Sequence, residues 1–278
     1  MTTLQNTSPA QLNHLCIDST QPVRLARFYH EMLDCVETAV GKNLLMTGPR
    51  RAVLIRPAAA NGLAYAAYRM RNGDALEQFR ARVMANCVPC EPLDDPVLEP
   101  GAFAVADPQG RQMVFGVPRE TPANAGAPAR LQHTVYQTTD LDRVVRFYVD
   151  QLGFTVSDEV VRDDASVSVV FMRSDDEHHS LAFFRGSRNE WDHHCYETNE
   201  WNDIRDWGDR FAAAEIPIFF GPGRHGPGNN LFFMVTDPDG NRLEFSAELQ
   251  QVPIGTAPGV WPEGERTLNS WGRAWMRS

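Results

Sequence analysis

The segment Asp237-Pro238-Asp239-Gly240-Asn241-Arg242-Leu243-Glu244-Phe245 decides the fold, because an earlier part of the chain repeats it. The earlier copy is Asp107-Pro108-Gln109-Gly110-Arg111-Gln112-Met113-Val114-Phe115. Both segments place Asp-Pro and Gly where a tight turn needs them, and both continue into alternating apolar residues. This pair predicts a hairpin that occurs twice in the protein.

The repeat extends toward the amino terminus of each copy. Asn13–Ile17 followed by Arg27-Phe28-Tyr29 corresponds to Gln132–Tyr136 followed by Arg146-Phe147-Tyr148. Three ordered anchors match with slowly growing shifts: His14 with His133 by 119 residues, Tyr68 with Tyr196 by 128, and Asp107 with Asp237 by 130. The period is too long for a solenoid and indicates one module present twice, with small loop insertions.

Each copy is predicted to contain a strand, a helix and then several strands, which indicates an α+β protein. In the second copy, Leu131–Thr138 is rich in β-forming residues, and Asp140–Leu152 has the apolar spacing of an amphipathic helix that Gly153 ends. A second helix is predicted at 202–214, and at Asp74–Asn86 in the first copy. The further strands predicted in the second copy are Ser166–Met172, Ser180–Phe184, His194–Thr198, Asn230–Val235 and Arg242–Ala247.

Composition places the domain boundaries. Arg119–Pro128 is a Pro-, Gly- and Ala-rich linker, so the predicted modules are 8–120 and 129–250. A tail at 251–278 carries Trp261, Trp271 and Trp275, and we expect it to pack on the body of the protein, across the mouth of the site.

Charge and cysteine usage exclude several classes of protein. The net charge of −10 is spread along the chain, which argues against a nucleic-acid partner. No long uncharged apolar stretch predicts a membrane span, and Met1–Thr7 lacks the pattern of a signal peptide, so the cytoplasm is expected. The five cysteines include one Cys87-x-x-Cys90 pair, which is too few for a zinc site and indicates reduced thiols.

One difference between the copies predicts a metal centre. The second copy has His133, His194 and Glu244 at the positions where the first copy has His14, Ala66 and Val114. Because side chains alternate along strands, one residue from each of three strands can face a common cavity. Two histidines and one carboxylate suit Fe(II), with Mn(II) as the next choice, and zinc stays open. His193 is expected to face away from this cavity, and His14, without its partners, is expected to be structural.

Two more histidines are candidates for acid–base work. His179 precedes the strand that begins at Ser180 and can face the same cavity by alternation. His225 lies in Gly221-Pro222-Gly223-Arg224-His225-Gly226-Pro227-Gly228, whose alternative interpretation is a rigid turn with an exposed histidine. A histidine beside a metal-bound oxyanion can donate a hydrogen bond or move a proton. His178, His193 and His30 are expected to be surface or packing residues.

These motifs resemble the type I extradiol ring-cleaving dioxygenases of the vicinal oxygen chelate superfamily. The resemblance covers about residues 10–250 and is most specific at His133-Thr134-Val135, His193–Thr198, Gly221–Gly226 and Asp237–Glu244. It implies tandem βαβββ modules that form incomplete barrels, with the metal site in the C-terminal module and a metal-free N-terminal copy. It also implies metal ligands at His133, His194 and Glu244, an acid–base histidine at His179 and a second at His225.

One residue departs from the pattern of that family. A tyrosine usually stands three residues before the Asp-Pro turn, where this chain has Met234. A thioether cannot donate the hydrogen bond of a phenol, so we expect an altered substrate or a substitute donor, for which Tyr196 is the candidate.

The resemblance implies extradiol cleavage of a catechol-type aromatic diol with O2 at an Fe(II) centre, in aromatic hydrocarbon catabolism. The implied partners are a small aromatic diol and O2, with no nucleic acid and no membrane, in a homo-oligomer. One alternative is a glyoxalase-like metal-dependent isomerase or lyase. The other is a resistance protein of the same fold that binds an aromatic drug, which would need no metal triad.

Overall fold

The computed structural model describes residues 11–120, 126–253 and 255–276. The expected module start at residue 8, the middle of the linker and the last two residues of the tail lie outside these ranges.

The first half of the chain forms one eight-stranded mixed sheet, in the order β2-β3-β4-β1-β5-β8-β7-β6. Its strands are β1 (Gln11–Ser19), β2 (Val36–Val40), β3 (Asn43–Gly48), β4 (Arg51–Pro57), β5 (Gly62–Arg69), β6 (Glu91–Pro92), β7 (Phe103–Ala106) and β8 (Gln112–Gly116). The helices of this half are α1 (Pro22–Leu33) and α2 (Gly73–Ala85).

The second half forms a nine-stranded sheet, in the order β14-β15-β16-β13-β9-β12-β11-β10-β17. Its strands are β9 (Arg130–Thr138), β10 (Thr155–Val161), β11 (Val167–Arg173), β12 (Leu181–Arg185), β13 (Glu190–Glu197), β14 (Phe220–Arg224), β15 (Leu231–Thr236), β16 (Arg242–Ala247) and β17 (Gly259–Pro262). Its helices are α3 (Leu141–Arg146), which continues as a π-helical turn through Phe147–Gln151, α4 (Trp201–Ala213) and α5 (Glu265–Leu268).

The two sheets have the same topology, which confirms the α+β class and the internal repeat. Strand β1 pairs in parallel with β4 and antiparallel with β5, and β5 pairs in parallel with β8. Likewise, β9 pairs in parallel with β12 and antiparallel with β13, and β13 pairs in parallel with β16. The second sheet differs only by the added edge strand β17, and neither sheet closes into a barrel.

Most predicted elements are present with shifted ends, and three strands were missed. Asp140 caps α3, as predicted, by accepting a hydrogen bond from the backbone N–H of Arg143. Strand β14 was predicted as a loop because it contains Gly221-Pro222-Gly223, yet it pairs with β15 across an irregular register. An edge position tolerates proline because that strand has a free side. Strands β10 and β17 were not predicted.

A buried aromatic cluster supports the second sheet from behind. Phe245 of β16 stacks on Phe233 of β15, with ring centroids 5.4 Å apart, and Trp207 and Phe211 of α4 pack on Phe245. Burial of each such ring contributes about 2–3 kcal/mol. The strands that carry the candidate ligands therefore lie on a rigid layer.

Contacts of Arg51, Arg210 and Tyr29 are among those that join the two halves of the molecule. Buried Arg51 of β4 donates to the carbonyls of Leu33, Ala127 and Ala129 and has no carboxylate partner among the described contacts. Arg210 of α4 makes a two-pronged ion pair with Asp34 at 2.8 and 2.9 Å. The hydroxyl of Tyr29 on α1 lies 3.2 Å from Nε2 of His194 on β13.

The tail packs on the second sheet, as expected. Strand β17 pairs in parallel with β10, and the indole of Trp261 donates to Asp158 at 2.7 Å. Leu268 and Trp275 pack on the buried cluster of Phe220, Phe232 and Met234. None of the helices in the described ranges combines the length and apolar character needed to cross a lipid bilayer.

Replacement of Arg51 by methionine should destabilise the protein by about 3 kcal/mol or more. The variant keeps most of the side-chain volume but leaves three buried carbonyls without their donor. Arg27→Met, at an exposed position on α1, is the matched control and should change stability by less than about 0.5 kcal/mol. Urea unfolding measures both, and equal midpoints for the two variants would contradict the role given to Arg51.

Candidate metal centre

Three adjacent strands bring the candidate ligands together. In the register of the second sheet, Cys195 of β13 stands opposite His133 of β9 on one side and opposite Glu244 of β16 on the other. Successive side chains of β13 point to opposite faces, so His193 and Cys195 share the face of His133 and Glu244. His194 faces the other way.

The distances make His133, His193 and Glu244 a candidate ligand set. Oε2 of Glu244 lies 3.3 Å from Nε2 of His193 and 3.8 Å from Nε2 of His133. Neighbouring ligands of an octahedral ion, each about 2.1 Å from it, lie about 3 Å apart. All three residues are buried. The donor set therefore fits a divalent metal with open coordination positions.

The other ring nitrogen of each histidine has an acceptor. Nδ1 of His133 lies 2.5 Å from Oε1 of Gln132, and Nδ1 of His193 lies 2.5 Å from Oδ1 of Asp192. An acceptor at Nδ1 holds a neutral imidazole with its Nε2 lone pair free, as in metal-binding histidines generally. The amide of Asn230 donates to Oε1 of Glu244 at 3.1 Å and orients the carboxylate.

The structure does not bring His194 to His133 and Glu244, which corrects the ligand set predicted from the sequence. The His194 ring stacks on Trp191 at 5.1 Å and contacts the hydroxyl of Tyr29 from the first half of the chain. Burial lowers the pKa of His194 to about 3, with nearby His193 and His133 adding to the effect. His194 is therefore a neutral core residue, and His193, which was expected to face away, takes its place.

A signal in the sequence could have found His193. His194 and Tyr196 are two residues apart, so their side chains point to the same face of the strand. Tyr196 matches Tyr68, a large ring expected in the core. The register supports this assignment, because His14 pairs with Ala67 as His133 pairs with Cys195. In the same way, Tyr65 pairs with Cys16 in the first sheet and His193 pairs with Val135 in the second. Tyr65 is therefore the counterpart of His193.

In the first module a hydrogen-bond network occupies the equivalent place. Nε2 of His14 lies 2.9 Å from Oδ2 of Asp95, and the hydroxyl of Tyr65 donates to the same oxygen at 2.6 Å. Val114, in the place of Glu244, is buried. A carboxylate from a loop thus satisfies His14, in agreement with the structural role expected for it.

Cys195 also lies close enough to be considered as a ligand. Its Sγ and ligand atoms of His133 and Glu244 all lie within 4.8 Å of one another. However, the thiol donates to the hydroxyl of Ser246 at 3.1 Å, and burial raises its pKa well above the usual value. A protonated thiol is a poor ligand, whereas Nε2 of His193 lies 3.3 Å from Oε2 of Glu244 and can exchange its proton for a metal ion, so the geometry favours His193.

The directions of the pKa shifts favour metal binding at Glu244 and His133, whereas at His193 a metal ion must displace a proton. Burial alone would raise the pKa of Glu244, but contacts with His133, His193 and His225 lower it well below the usual value. Burial lowers the pKa of His133. For His193 burial acts in the same direction, but Asp192 and Glu244 outweigh it and raise the pKa.

His179 and His225 both line the cavity beside these residues. The ring of His179 lies 4.5 Å from that of His133, and burial lowers its pKa well below the usual value, with His133 and His178 adding to the effect. Nε2 of His225 lies 3.7 Å from Oε1 of Glu244, and its Nδ1 lies 2.5 Å from the carbonyl oxygen of Leu268. The loop histidine is thus part of the site rather than an exposed residue.

Met234 lines the cavity, whereas Tyr196 does not. Tyr196 is fully buried on the opposite face of β13 and packs on Phe245, with ring centroids 5.7 Å apart. The proposed use of Tyr196 as a substitute hydrogen-bond donor therefore does not agree with the structure. The rest of the described lining is mostly apolar: Val135, Phe171, Phe184, Phe220, Pro227, Thr267 and Leu268.

Comparison with known proteins supports this fold. Residues 130–245 match the model of the Glyoxalase/Bleomycin resistance protein/Dioxygenase superfamily. The match includes β9, β13 and the part of β16 that carries Glu244.

Two known relatives each match about half of the chain. Metapyrocatechase 2 of Cupriavidus necator is 34% identical over 149 residues, which are 52% of this chain and 45% of that protein. The manganese-dependent 2,3-dihydroxybiphenyl 1,2-dioxygenase of Geobacillus genomosp. 3 is 28% identical over 150 residues, 52% of this chain and 48% of that protein. The matched stretch is thus less than half of either relative.

The whole fold also has a solved counterpart. The crystal structure of homoprotocatechuate 2,3-dioxygenase from Arthrobacter globiformis superposes with a TM-score of 0.85 at 21% identity, covering 98% of this chain and 90% of that one. Both sheets, including the first, therefore have the arrangement of an extradiol dioxygenase.

The adjacent histidines of β13 provide a matched pair of variants. His193→Ala should lower bound metal at least tenfold because it removes a ligand, whereas His194→Ala should retain metal and lose stability because it removes a core contact with Tyr29. Cys195→Ser should retain metal as well. Elemental analysis and thermal unfolding of the three variants measure both effects. Loss of metal in His194→Ala with retention in His193→Ala would reverse the assignment.

Proposed function

We propose that this protein is a metal-dependent extradiol dioxygenase that cleaves an aromatic vicinal diol next to its hydroxyl groups, using O2. The observation that carries the proposal is the set of His133, His193 and Glu244, flanked by two cavity histidines that are not ligands. The names of the matched relatives, which are dioxygenases, support the same reaction.

We propose Fe(II) as the metal, with Mn(II) as the alternative that the manganese-dependent relative supports. His133, His193 and Glu244 would hold the ion, which supplies a Lewis-acidic, redox-active centre that can bring a diol and O2 together. A divalent ion with one carboxylate and two neutral histidine ligands forms a site with a net charge of +1. That charge favours the binding of a deprotonated diol.

His179 is the proposed proton acceptor for a diol hydroxyl. Its low pKa keeps the ring neutral at pH 7, so that one ring nitrogen has a free lone pair. His179 is packed between the rings of His133 and Phe171, which hold it in place. From this position it would later return the proton to an oxygen of the opening ring. His225, held by the carbonyl of Leu268, would orient reacting oxygens from the opposite side of Glu244.

The lining favours a diol with an apolar substituent. Among the described residues that line the cavity there is no lysine or arginine to pair with a substrate carboxylate. Phe171, Phe184 and Phe220 instead offer apolar surface to a ring. Met234, which replaces the usual phenol, adds apolar contact and removes a hydrogen bond.

Substrate entry requires movement of part of this lining. The cavity has a volume of about 30 Å³, which is room for about two water molecules. Thr267 and Leu268 belong to the tail and not to the sheet, so we propose that they shift when a ring enters.

Two alternatives remain distinguishable by experiment. An isomerase or lyase of the same superfamily would turn over its substrate without consuming O2. A drug-binding protein would bind an aromatic ligand equally well without metal. A homo-oligomer and a cytoplasmic location stay predictions.

Anaerobic reconstitution with Fe(II), followed by catechols and O2, should give yellow ring-fission products with stoichiometric O2 uptake. Alkyl- or aryl-substituted catechols should give a kcat/KM at least tenfold above that of a carboxylate-substituted catechol. The metal-free protein and the Mn(II)-loaded protein are the comparisons. Colourless mixtures and no O2 uptake across a broad diol panel would rule out the proposed reaction.

His179→Gln should lower kcat by about 10²–10⁴-fold with unchanged metal content, because the proton acceptor is lost while the ligands remain. His30→Gln, at an exposed position, is the control and should have the activity of the unmodified protein. Steady-state kinetics with metal analysis measure both variants. An active His179→Gln variant would remove this residue from the reaction.

A further inference from the structure

We propose that Asp158, acting through His178, fixes the tautomer of His179 so that its Nε2 presents a lone pair to the cavity. Asp158 and His178 are in this account positioning residues. Their effect on catalysis rests on the proposed function, but the arrangement itself does not.

A chain of close contacts leads from the cavity to the edge of the second sheet. Nδ1 of His179 lies 2.9 Å from Nδ1 of His178, and the two rings are perpendicular. Nε2 of His178 lies 3.0 Å from Oδ2 of Asp158 on β10. Both histidines are buried, although the sequence indicated only a surface or packing role for His178.

The carboxylate determines which nitrogen of His178 carries the proton. The Nε2–H bond of His178 does not point straight at Oδ2, so the contact is bent rather than a linear hydrogen bond. Even so, a lone pair 3.0 Å from a carboxylate oxygen would be repelled, and the proton therefore belongs on Nε2. A neutral His178 then has its lone pair on Nδ1.

The state of His178 fixes that of His179. Because the two Nδ1 atoms share one hydrogen bond, an acceptor at His178 requires a donor at His179. Neutral His179 then has its proton on Nδ1 and its lone pair on Nε2. In metal sites, likewise, a hydrogen-bond acceptor at one ring nitrogen of a histidine fixes which tautomer the ring adopts. His179 is thereby held as a proton acceptor.

The tail ensures that Asp158 acts as an acceptor. Oδ1 accepts from the backbone N–H of Gly259 at 2.9 Å, and Oδ2 accepts from the indole of Trp261 at 2.7 Å. Burial alone would raise the pKa of Asp158, but contacts with His178, Trp261 and Gly259 lower it. The attachment of strand β17 and the tautomer of His179 thus depend on the same carboxylate.

Asp158→Asn is expected to reverse the donor and acceptor roles in the contacts from Asp158 through His178 to His179, with almost no change in side-chain volume. If the amide oxygen keeps the hydrogen bond from Gly259, its NH2 group faces Trp261 and His178. That NH2 donates to Nε2 of His178, which moves the proton of His178 to Nδ1 and turns the lone pair of His179 toward His178. In the other orientation the NH2 group opposes the backbone N–H of Gly259.

The tautomers can be measured directly by NMR of protein with ¹⁵N-labelled histidine, loaded with diamagnetic Zn(II). Long-range ¹H–¹⁵N spectra distinguish protonated from lone-pair nitrogens, and His178→Gln and His179→Gln assign the signals. The unmodified protein should have His179 protonated on Nδ1 only, and Asp158→Asn should move that proton to Nε2. Asp164→Asn, at an exposed position, and Trp261→Phe, which leaves the carboxylate in place, should retain the original tautomer.

Kinetics separate this inference from the proposed function. In Fe(II)-loaded protein, Asp158→Asn should lower kcat about 10–100-fold with KM changed less than threefold and metal content unchanged. His179 protonated on Nε2 in the unmodified protein, or an unchanged tautomer in Asp158→Asn, would overturn the proposal. Absence of dioxygenase activity in the unmodified protein would instead overturn the proposed function and leave the tautomer result standing.

Discussion

The two-residue period of strand β13 is the constraint on which the rest of the site depends. It places His193 and Cys195 on the face that meets His133 and Glu244, and His194 and Tyr196 on the face that meets the aromatic core. One strand thereby joins two functions. Its front supplies the proposed metal ligand His193, and its back contacts Tyr29 of the first half of the chain. A shift of one residue would exchange a ligand for a core residue.

The two modules show how one backbone can support either a metal site or a hydrogen-bond network. At the three ligand positions the first module has His14, Tyr65 and Val114, and the carboxylate of Asp95 joins the first two. In the second module the acceptors lie behind the histidines, at Gln132 and Asp192, and leave both Nε2 atoms free. The difference lies in where the acceptor is placed, because the strand topology is the same.

The sequence predicted the features that follow from periodicity and repetition, but not those that depend on register. The duplicated topology, His133, Glu244 and the cavity position of His179 could be predicted because each stands at a repeated or alternating position, whereas His225 was a candidate only through its loop motif and the family resemblance. The choice of His194 over His193 was wrong. Two adjacent histidines differ only in which face of the strand each side chain occupies, and that depends on the strand register. The Asp158–His178 contact could not be predicted, because it joins β10 to the turn between β11 and β12. The tail that holds Asp158 has no counterpart in the first module.

The central claim is that His193, and not its neighbour, completes the metal site. Its most direct test is anomalous diffraction at the iron edge from crystals of the Fe(II)-loaded protein. The account predicts one peak about 2.1 Å from Nε2 of His133, Nε2 of His193 and a carboxylate oxygen of Glu244, with no sulfur ligand. A peak bound by Sγ of Cys195, or on the face of β13 that carries His194, would contradict it.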